Sequence, residues 1–202
     1  MGICYLVGAG DFYGQISDGT DDIIIAADGG YDNLIKNGYK PDILIGDLDS
    51  IESEIPEGTR LIRYPVEKDE TDMFLAYEAG AKLGYDEFVM LGATGGRLDH
   101  TYANLSLLLY AKQRGHNVTV IDANGIIICL KNEGVTLSGN AGDTLSIFAV
   151  GGVAEGVTIS GAKYEVEGVS LTPDFPLGVS NEFTGKDVRI SVKNGALIVM
   201  AQ

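Results

Sequence analysis

The chain has 202 residues, with 29 acidic against 14 basic side chains and a net charge of −15. That length holds one large domain or two small ones, each able to bury a core. The acidic balance argues against nucleic acid or an anionic membrane as the main partner, because both reward Lys and Arg; a polyphosphate stays compatible if a divalent cation comes with it. In chain order, short β-branched runs predict strands over Ile3 to Val7, Ile23 to Ala27, Ile43 to Ile45, Leu61 to Tyr64, Phe88 to Leu91 and Val118 to Asp122. Several are apolar at every position, as strands covered on both faces must be. Helices are expected over Tyr31 to Lys36, Asp72 to Leu83 and Thr101 to Arg114, the last two closed by Gly84 and Gly115 as left-handed caps.

Beyond about Ile121 the pattern changes to period-two alternation with frequent glycine. Strands are expected at Thr144 to Val150, Val157 to Ser160, Tyr164 to Val169 and Val188 to Val192. Asn194-Gly195 reads as a type I′ turn joining the last of these to Ala196 to Met200 in a hairpin. The expectation is a three-layer, Rossmann-like α/β domain with a mostly parallel sheet over residues 1–125, followed by an all-β sandwich or barrel over residues 126–202. Cys4 and Cys129 lie in apolar runs and read as buried free thiols of a reducing compartment. No run approaches the ~20 apolar residues of a membrane helix, and Met1-Gly2-Ile3-Cys4 has no basic leader. A cytoplasmic location is expected.

Chemistry concentrates where the apolar runs of the first half stop. Ala27-Asp28-Gly29-Gly30, Gly46-Asp47-Leu48-Asp49-Ser50, Asp69-Glu70-Thr71-Asp72 and Gly95-Gly96-Arg97-Leu98-Asp99-His100 each place carboxylates near strand ends, where open α/β sheets bind ligands. At ~5 Å and an effective dielectric near 20, each like-charged pair costs roughly 3 kcal/mol, so such a cluster calls for a metal. Asp47 and Asp49, two apart in an extended segment, would point the same way, and hard oxygen ligands of this kind suit Mg²⁺. Asp69 is placed as a helix N-cap with Asp72 at the third helical position. Gly92-Ala93-Thr94-Gly95-Gly96-Arg97, between a strand and a helix, lets backbone N–H groups approach an anion and gives Arg97 a bidentate partner. Val7-Gly8-Ala9-Gly10-Asp11 reads as a tight strand-to-loop turn. Lys68 and Arg63 are positive charges within reach of a phosphate. His116 reads as structural.

The order and spacing of the four acidic motifs resemble the thiamine pyrophosphokinase family. Gly161-Ala162-Lys163-Tyr164 and Gly178-Val179-Ser180-Asn181-Glu182-Phe183 resemble its thiamine-binding β-domain, so the similarity spans nearly the whole chain. The resemblance implies transfer of the diphosphoryl group of ATP to the hydroxyethyl oxygen of thiamine, giving thiamine diphosphate and AMP, in a homodimer with its active site at the subunit interface. Carried over by position, Asp47, Asp49 and Asp72 would hold Mg²⁺ and Asp28 would support the cluster. Thr94, Gly95, Gly96, Arg97, Asp99 and His100 would position the nucleotide, and Ser180 and Asn181 would meet the aminopyrimidine of thiamine. With no Trp in the chain, an aromatic contact to thiamine falls to Tyr164, Phe175 or Phe183. Two other readings use the same aspartates: a pyrophosphokinase acting on another alcohol such as a hydroxymethylpterin, and a non-catalytic Mg-nucleotide-binding module.

Overall fold

The computed structural model describes residues 2–17, 19–65 and 67–202; Met1, where the N-terminal reading begins, lies outside the described residues. Among the described residues there are thirteen strands and three helices, so the chain is mostly β. It divides into two compact units, Met1–Leu108 with Gly115–Ala123, and Leu109–Arg114 with Asn124–Gln202.

In the first unit the strands are β1 (Cys4–Val7), β2 (Ile23–Ala27), β3 (Ile43–Gly46), β4 (Arg60–Arg63), β5 (Glu87–Leu91) and β6 (Asn117–Asp122), with helices α1 (Gly30–Lys36), α2 (Asp72–Lys82) and α3 (Leu98–Gln113) between them, the end of α3 from Leu109 on being counted with the second unit. They lie in the order β4-β3-β2-β1-β5-β6, and every pair is parallel. β1 and β3 are buried at all four positions, the reason their sequences are apolar without alternation. The chain adds β2 to β4 on one side of β1 and then returns to place β5 and β6 on the other. Strand order therefore switches at β1 and β5, and the loops leaving their carboxyl ends face a natural ligand crevice.

The helices follow their apolar spacing. α2 buries Met73, Ala76, Tyr77 and Gly80, one face at three- and four-residue intervals. Its N-cap is Thr71, whose hydroxyl accepts from the Phe74 N–H at 3.2 Å. The expected cap at Asp69 is therefore wrong: Thr71, in extended conformation, takes the hydroxyl cap, and Asp72 becomes the first helical residue, favoured there by the helix dipole. Gly84 and Gly115 adopt positive φ as expected. α3 starts at Leu98, three residues earlier than expected, which brings Asp99 and His100 into its first turn. At Gly30 any Cβ would collide with the Val7 carbonyl, so glycine there lets α1 begin directly against the end of β1. Burial pushes the Cys4 thiol up to about 12 and the Cys129 thiol up to about 11, as befits inert packing residues.

In the second unit the strands are β7 (Gly125–Lys131), β8 (Gly134–Leu137), β9 (Thr144–Ser160), β10 (Val166–Leu171), β11 (Asn181–Glu182), β12 (Val188–Ser191) and β13 (Asn194–Ala201). The two strands expected at 144–150 and 157–160 are one bent strand, β9. Its first half pairs antiparallel with β13 and β11, its second half with β12 and β10. Leu145, Ile147, Val157, Ile159, Val188 and Ile190 join a single core, so the strand's two halves supply one interior. The expected hairpin does not form. β12 pairs with β8 and β9, and β13 with β7 and β9, because the chain follows the bend of β9 from one partner set to the other. Gly195 alone of the Asn194-Gly195 pair has positive φ, and its N–H is taken by the Asn132 side chain. β10 begins two residues later than expected because the preceding loop is pinned by Glu165, which accepts from the Gly161 N–H, and by Asn181. β7 and β8 lie between Asp122 and Thr144, where no strand was expected. Among the described residues no helix is long and apolar enough to cross a membrane.

One buried charge in α1 shapes the acidic loop after β3. Asp32, 7% exposed, accepts from the N–H groups of Glu52 and Ser53 at 2.9 and 2.8 Å. Burial alone would raise its pKa, but these donors, with Lys36 nearby, hold it below the usual 3.8. A depressed folded-state value gives stability that is present above pH 3.8 and lost as the pH falls through the folded value. Asp32→Ala is expected to destabilise the fold by about 2–3 kcal/mol in urea unfolding at pH 7, as loss of two charge-assisted bonds requires. That difference should shrink as the pH is lowered below 3.8.

Candidate active site

The acidic motifs converge at the carboxyl ends of β2 and β3. Carboxylate oxygens of Asp28, Asp47 and Asp49 lie within 4.8 Å of one another. Asp28 is held in the left-handed region (φ 47°), its N–H donates to the Ile45 carbonyl at 2.7 Å, and its Oδ2 accepts from the Ser50 hydroxyl. Asp47 and Asp49 do not converge by strand alternation as expected. Leu48 has φ 70°, and the Asp49 N–H folds back onto Asp47 Oδ1 at 3.1 Å, a side-chain turn that brings the two carboxylates together. That N–H holds the Asp47 carboxyl below its usual value, while the facing Asp47 carboxylate, with Asp28 and Asp72 beyond it, pushes Asp49 up.

Asp72 stands outside this group of three. Its Oδ1 is 2.7 Å from Lys68 Nζ, which is also 3.7 Å from Asp47 Oδ2. Asp28 Oδ1 is buried without a hydrogen-bond partner, beside the buried Lys68–Asp72 pair. Hard carboxylate oxygens at this spacing, that of Asp28 unsatisfied, fit a divalent cation of the oxygen-preferring kind.

A cleft of ≈ 560 Å³ opens beside the cluster, walled by the loops after β1 and β5 and by the first turns of α2 and α3. The two loops are zipped together: Gly8 N–H donates to Leu91 O, Gly10 N–H to Gly92 O and Asp11 N–H to Thr94 O, each at 2.9 Å. Asn33 ties the first loop down through the carbonyls of Gly8 and Gly10, and Asn104 holds the second through Ala93 O. Asp28, Asp49, Asp72, Gly95, Gly96, Arg97 and His100 all line the cleft. Arg97 is exposed and makes a bidentate pair with Asp99 at 3.1 and 2.7 Å, which depresses the Asp99 carboxyl to about 2. Thr94 is not part of the lining: it is 8% exposed and its hydroxyl donates to Asp122 at 3.1 Å. Sequence reasoning gave the Gly8–Gly10 loop no role, although its glycines were the available signal. Nothing in the sequence marked Asn33 or Asn104.

The second unit carries a smaller apolar cleft of ≈ 110 Å³, lined among others by Ile147, Tyr164, Leu171, Leu177, Val179 and Asn181. Asn181 is 6% exposed. Its Oδ1 accepts from the Tyr164 and Glu182 N–H groups at 2.9 Å, and its Nδ2 donates to Tyr164 O at 2.8 Å. The side chain therefore builds one wall of the cleft by fixing the Tyr164 loop. Ser180 is exposed with φ 60°. Of the three aromatic candidates, Phe183 is core at 3% exposure, whereas Tyr164 and Phe175 are exposed. Asn181→Ala is expected to lower stability by about 1–3 kcal/mol, the cost of leaving buried backbone groups unpaired, whereas Ser180→Ala leaves the unfolding midpoint nearly unchanged; thermal unfolding of both variants checks this.

Clustered carboxylates beside glycine turns and a helix N-terminus are the apparatus of a phosphoryl-transfer enzyme. Comparison with known proteins narrows the class. Residues 19–120 match the family described as thiamin pyrophosphokinase, catalytic domain, and residues 127–197 match thiamin pyrophosphokinase, vitamin B1 binding domain. Thiamine pyrophosphokinase of Bacillus subtilis is 27% identical over 184 residues, covering 87% of this chain and 85% of that protein. Thiamin pyrophosphokinase 1 of Caenorhabditis elegans is 26% identical over 176 residues, 81% of this chain and 72% of that one. Among solved structures, thiamin pyrophosphokinase from Geobacillus thermodenitrificans superposes with a TM-score of 0.80 at 26% identity, covering 99% of this chain and 97% of that one. The Bacillus subtilis structure gives 0.84 at 23% identity, covering 100% and 99%, and shows the shared fold. The chain belongs to the thiamine pyrophosphokinase family, the enzymes that make thiamine diphosphate from thiamine.

Proposed function

We propose that the first unit, assigned to residues 1–125, binds Mg·ATP on a three-layer, Rossmann-like scaffold, and that residues 126–202 bind thiamine. The convergence of Asp28, Asp47 and Asp49 beside the cleft carries this reading. Asp47 and Asp49 are the primary Mg²⁺ ligands in it, with Asp28 and Asp72 completing the set. Bound there, the ion neutralises polyphosphate charge.

The remaining chemistry falls to the chain's own groups. Backbone N–H groups around Gly95 and Gly96 at the start of α3 meet phosphate oxygens. Arg97 exchanges its fork from Asp99 to phosphate, and Asp99 keeps the guanidinium aimed until then; His100, in the same turn, lines the nucleotide side. The hydroxyethyl oxygen of thiamine attacks the β-phosphorus of ATP, the bond from that phosphorus to the α,β-bridging oxygen breaks, and AMP leaves with the bridging oxygen. The alcohol proton passes to a carboxylate of the cluster late in the step. Such a transfer asks mainly for in-line positioning and charge neutralisation. Thiamine's cationic thiazolium suits an acidic chain of net charge −15, and exposed Tyr164 or Phe175 offers its rings an aromatic face. Ser180 and Asn181 serve as the pyrimidine side of that site, Asn181 through the loop it fixes.

A homodimer and a cytoplasmic location belong to the same proposal. The second unit exposes Tyr164, Phe175, Leu177 and Val179, and the first exposes Leu98 and Tyr102 on the helix after Arg97, apolar surface that a second copy would cover. Sedimentation equilibrium should return twice the 21.4 kDa chain mass; the single-chain mass at micromolar protein would refute the dimer.

Protein supplied with ATP, Mg²⁺ and thiamine should form thiamine diphosphate and AMP in equal amounts, and none with EDTA. Asp47→Asn is expected to lower kcat by about 10³-fold or more with little change in unfolding midpoint, as loss of transition-state charge stabilisation does. Near-normal turnover in that variant would remove the metal assignment, and ADP with thiamine monophosphate as products would replace diphosphoryl by single phosphoryl transfer.

A further inference from the structure

Lys68 sits in an unusual position for a lysine. Its side chain is only 10% exposed, and its ammonium lies 2.7 Å from Asp72 and 3.7 Å from Asp47. A buried ammonium ordinarily satisfies its donors. Here the ammonium is held by Asp72 at close range and by Asp47 farther off, two carboxylates that also face Asp49. Asp28 keeps an oxygen, Oδ1, without a hydrogen-bond partner in the same place. The cluster thus holds one positive charge against four carboxylates, so most of their charge stays uncompensated.

We infer that Lys68 is the exchangeable counter-ion of the acidic cluster: it holds Asp72 and Asp47 in the free protein, gives them up to the divalent cation, and carries its charge to the polyphosphate that arrives with the metal. The inference rests on the metal-holding reading of the cluster and adds a residue to it. Lys68 lies four residues before Asp72 on the segment entering α2, so release of the ammonium leaves it at the edge of the cleft that Asp72 and Thr71 line. The exchange accounts for why Asp72 stands outside the three-carboxylate group: its partner in the free protein is Lys68.

The consequence is a pair of effects with opposite signs. Removing the ammonium takes away a positive charge that opposes free metal, and at the same time takes away a positive charge that favours the nucleotide polyphosphate. For Lys68→Met, affinity for free Mn²⁺, measured by electron paramagnetic resonance on the full chain without nucleotide, should rise about tenfold or more. The KM for Mg·ATP should rise by about tenfold. Lys68→Arg, which keeps the charge, should leave free Mn²⁺ affinity near that of the unaltered protein. In thermal unfolding, Lys68→Met should melt lower without metal and regain more than the unaltered protein does on adding Mg²⁺, because only the metal can then neutralise the four carboxylates. Mn²⁺ affinity that is unchanged or weakened in Lys68→Met, while the unaltered protein binds the ion, would overturn the role of Lys68 and leave the metal site standing. Failure of both proteins to bind Mn²⁺ at millimolar concentration would overturn the metal reading and this inference together.

Discussion

Crowding of negative charge at the ends of β2 and β3 is the constraint around which the first unit is arranged. Three carboxylates share a space in which their oxygens lie within 4.8 Å, and repulsion of roughly 3 kcal/mol per pair acts to spread them. The fold resists by local means. The Asp49 N–H bonds Asp47, the Ser50 hydroxyl bonds Asp28, Asp32 clamps the N–H groups of Glu52 and Ser53, and Lys68 supplies a counter-charge. None of these cancels the charge. The cluster keeps its net negative charge, which the proposed cation site requires if charge stabilisation is to be set before the reaction begins.

Glycine supplies the complementary half of the site. The loops after β1 and β5 approach closely enough to share three backbone hydrogen bonds, leaving a cleft floored by main chain instead of side chains. Main-chain N–H groups at a helix start favour anions, so in the proposed function carboxylates on one side and amides on the other would sort the two charges of a metal–polyphosphate ligand. Arg97, exposed and paired with Asp99, stands on the side of the cleft proposed to meet the anion.

Much of this was legible in the residues. β1 and β3 read as buried strands because parallel strands covered on both faces cannot alternate, and the left-handed caps at Gly84 and Gly115 followed from glycine at the end of an apolar helical pattern. The gathering of Asp28, Asp49, Gly95, Gly96 and Arg97 along one cleft, with Asp47 against Asp49, agrees with strand ends and motif order. What escaped was tertiary. The turn at Leu48 depends on a side chain folding back, so the right residues were chosen on the wrong geometry. The hairpin at Asn194-Gly195 failed because a bent seventeen-residue strand, β9, offers partners to β12 and β13 that local turn propensity cannot anticipate. Asn181 looked like a ligand contact and is spent largely on backbone; Thr94, within a glycine-rich run, turned inward to Asp122.

The central claim is that Asp47 and Asp49, together with Asp28, form a metal site that serves the nucleotide. The direct measurement is an anomalous difference map from crystals grown with Mn²⁺ and a non-hydrolysable ATP analogue. The account predicts a peak coordinated by the Asp47 and Asp49 carboxylates at about 2.1 Å, the distance expected of a small hard cation, bridging to phosphate oxygens in the cleft. A nucleotide bound in that cleft with no anomalous peak at these carboxylates would contradict it.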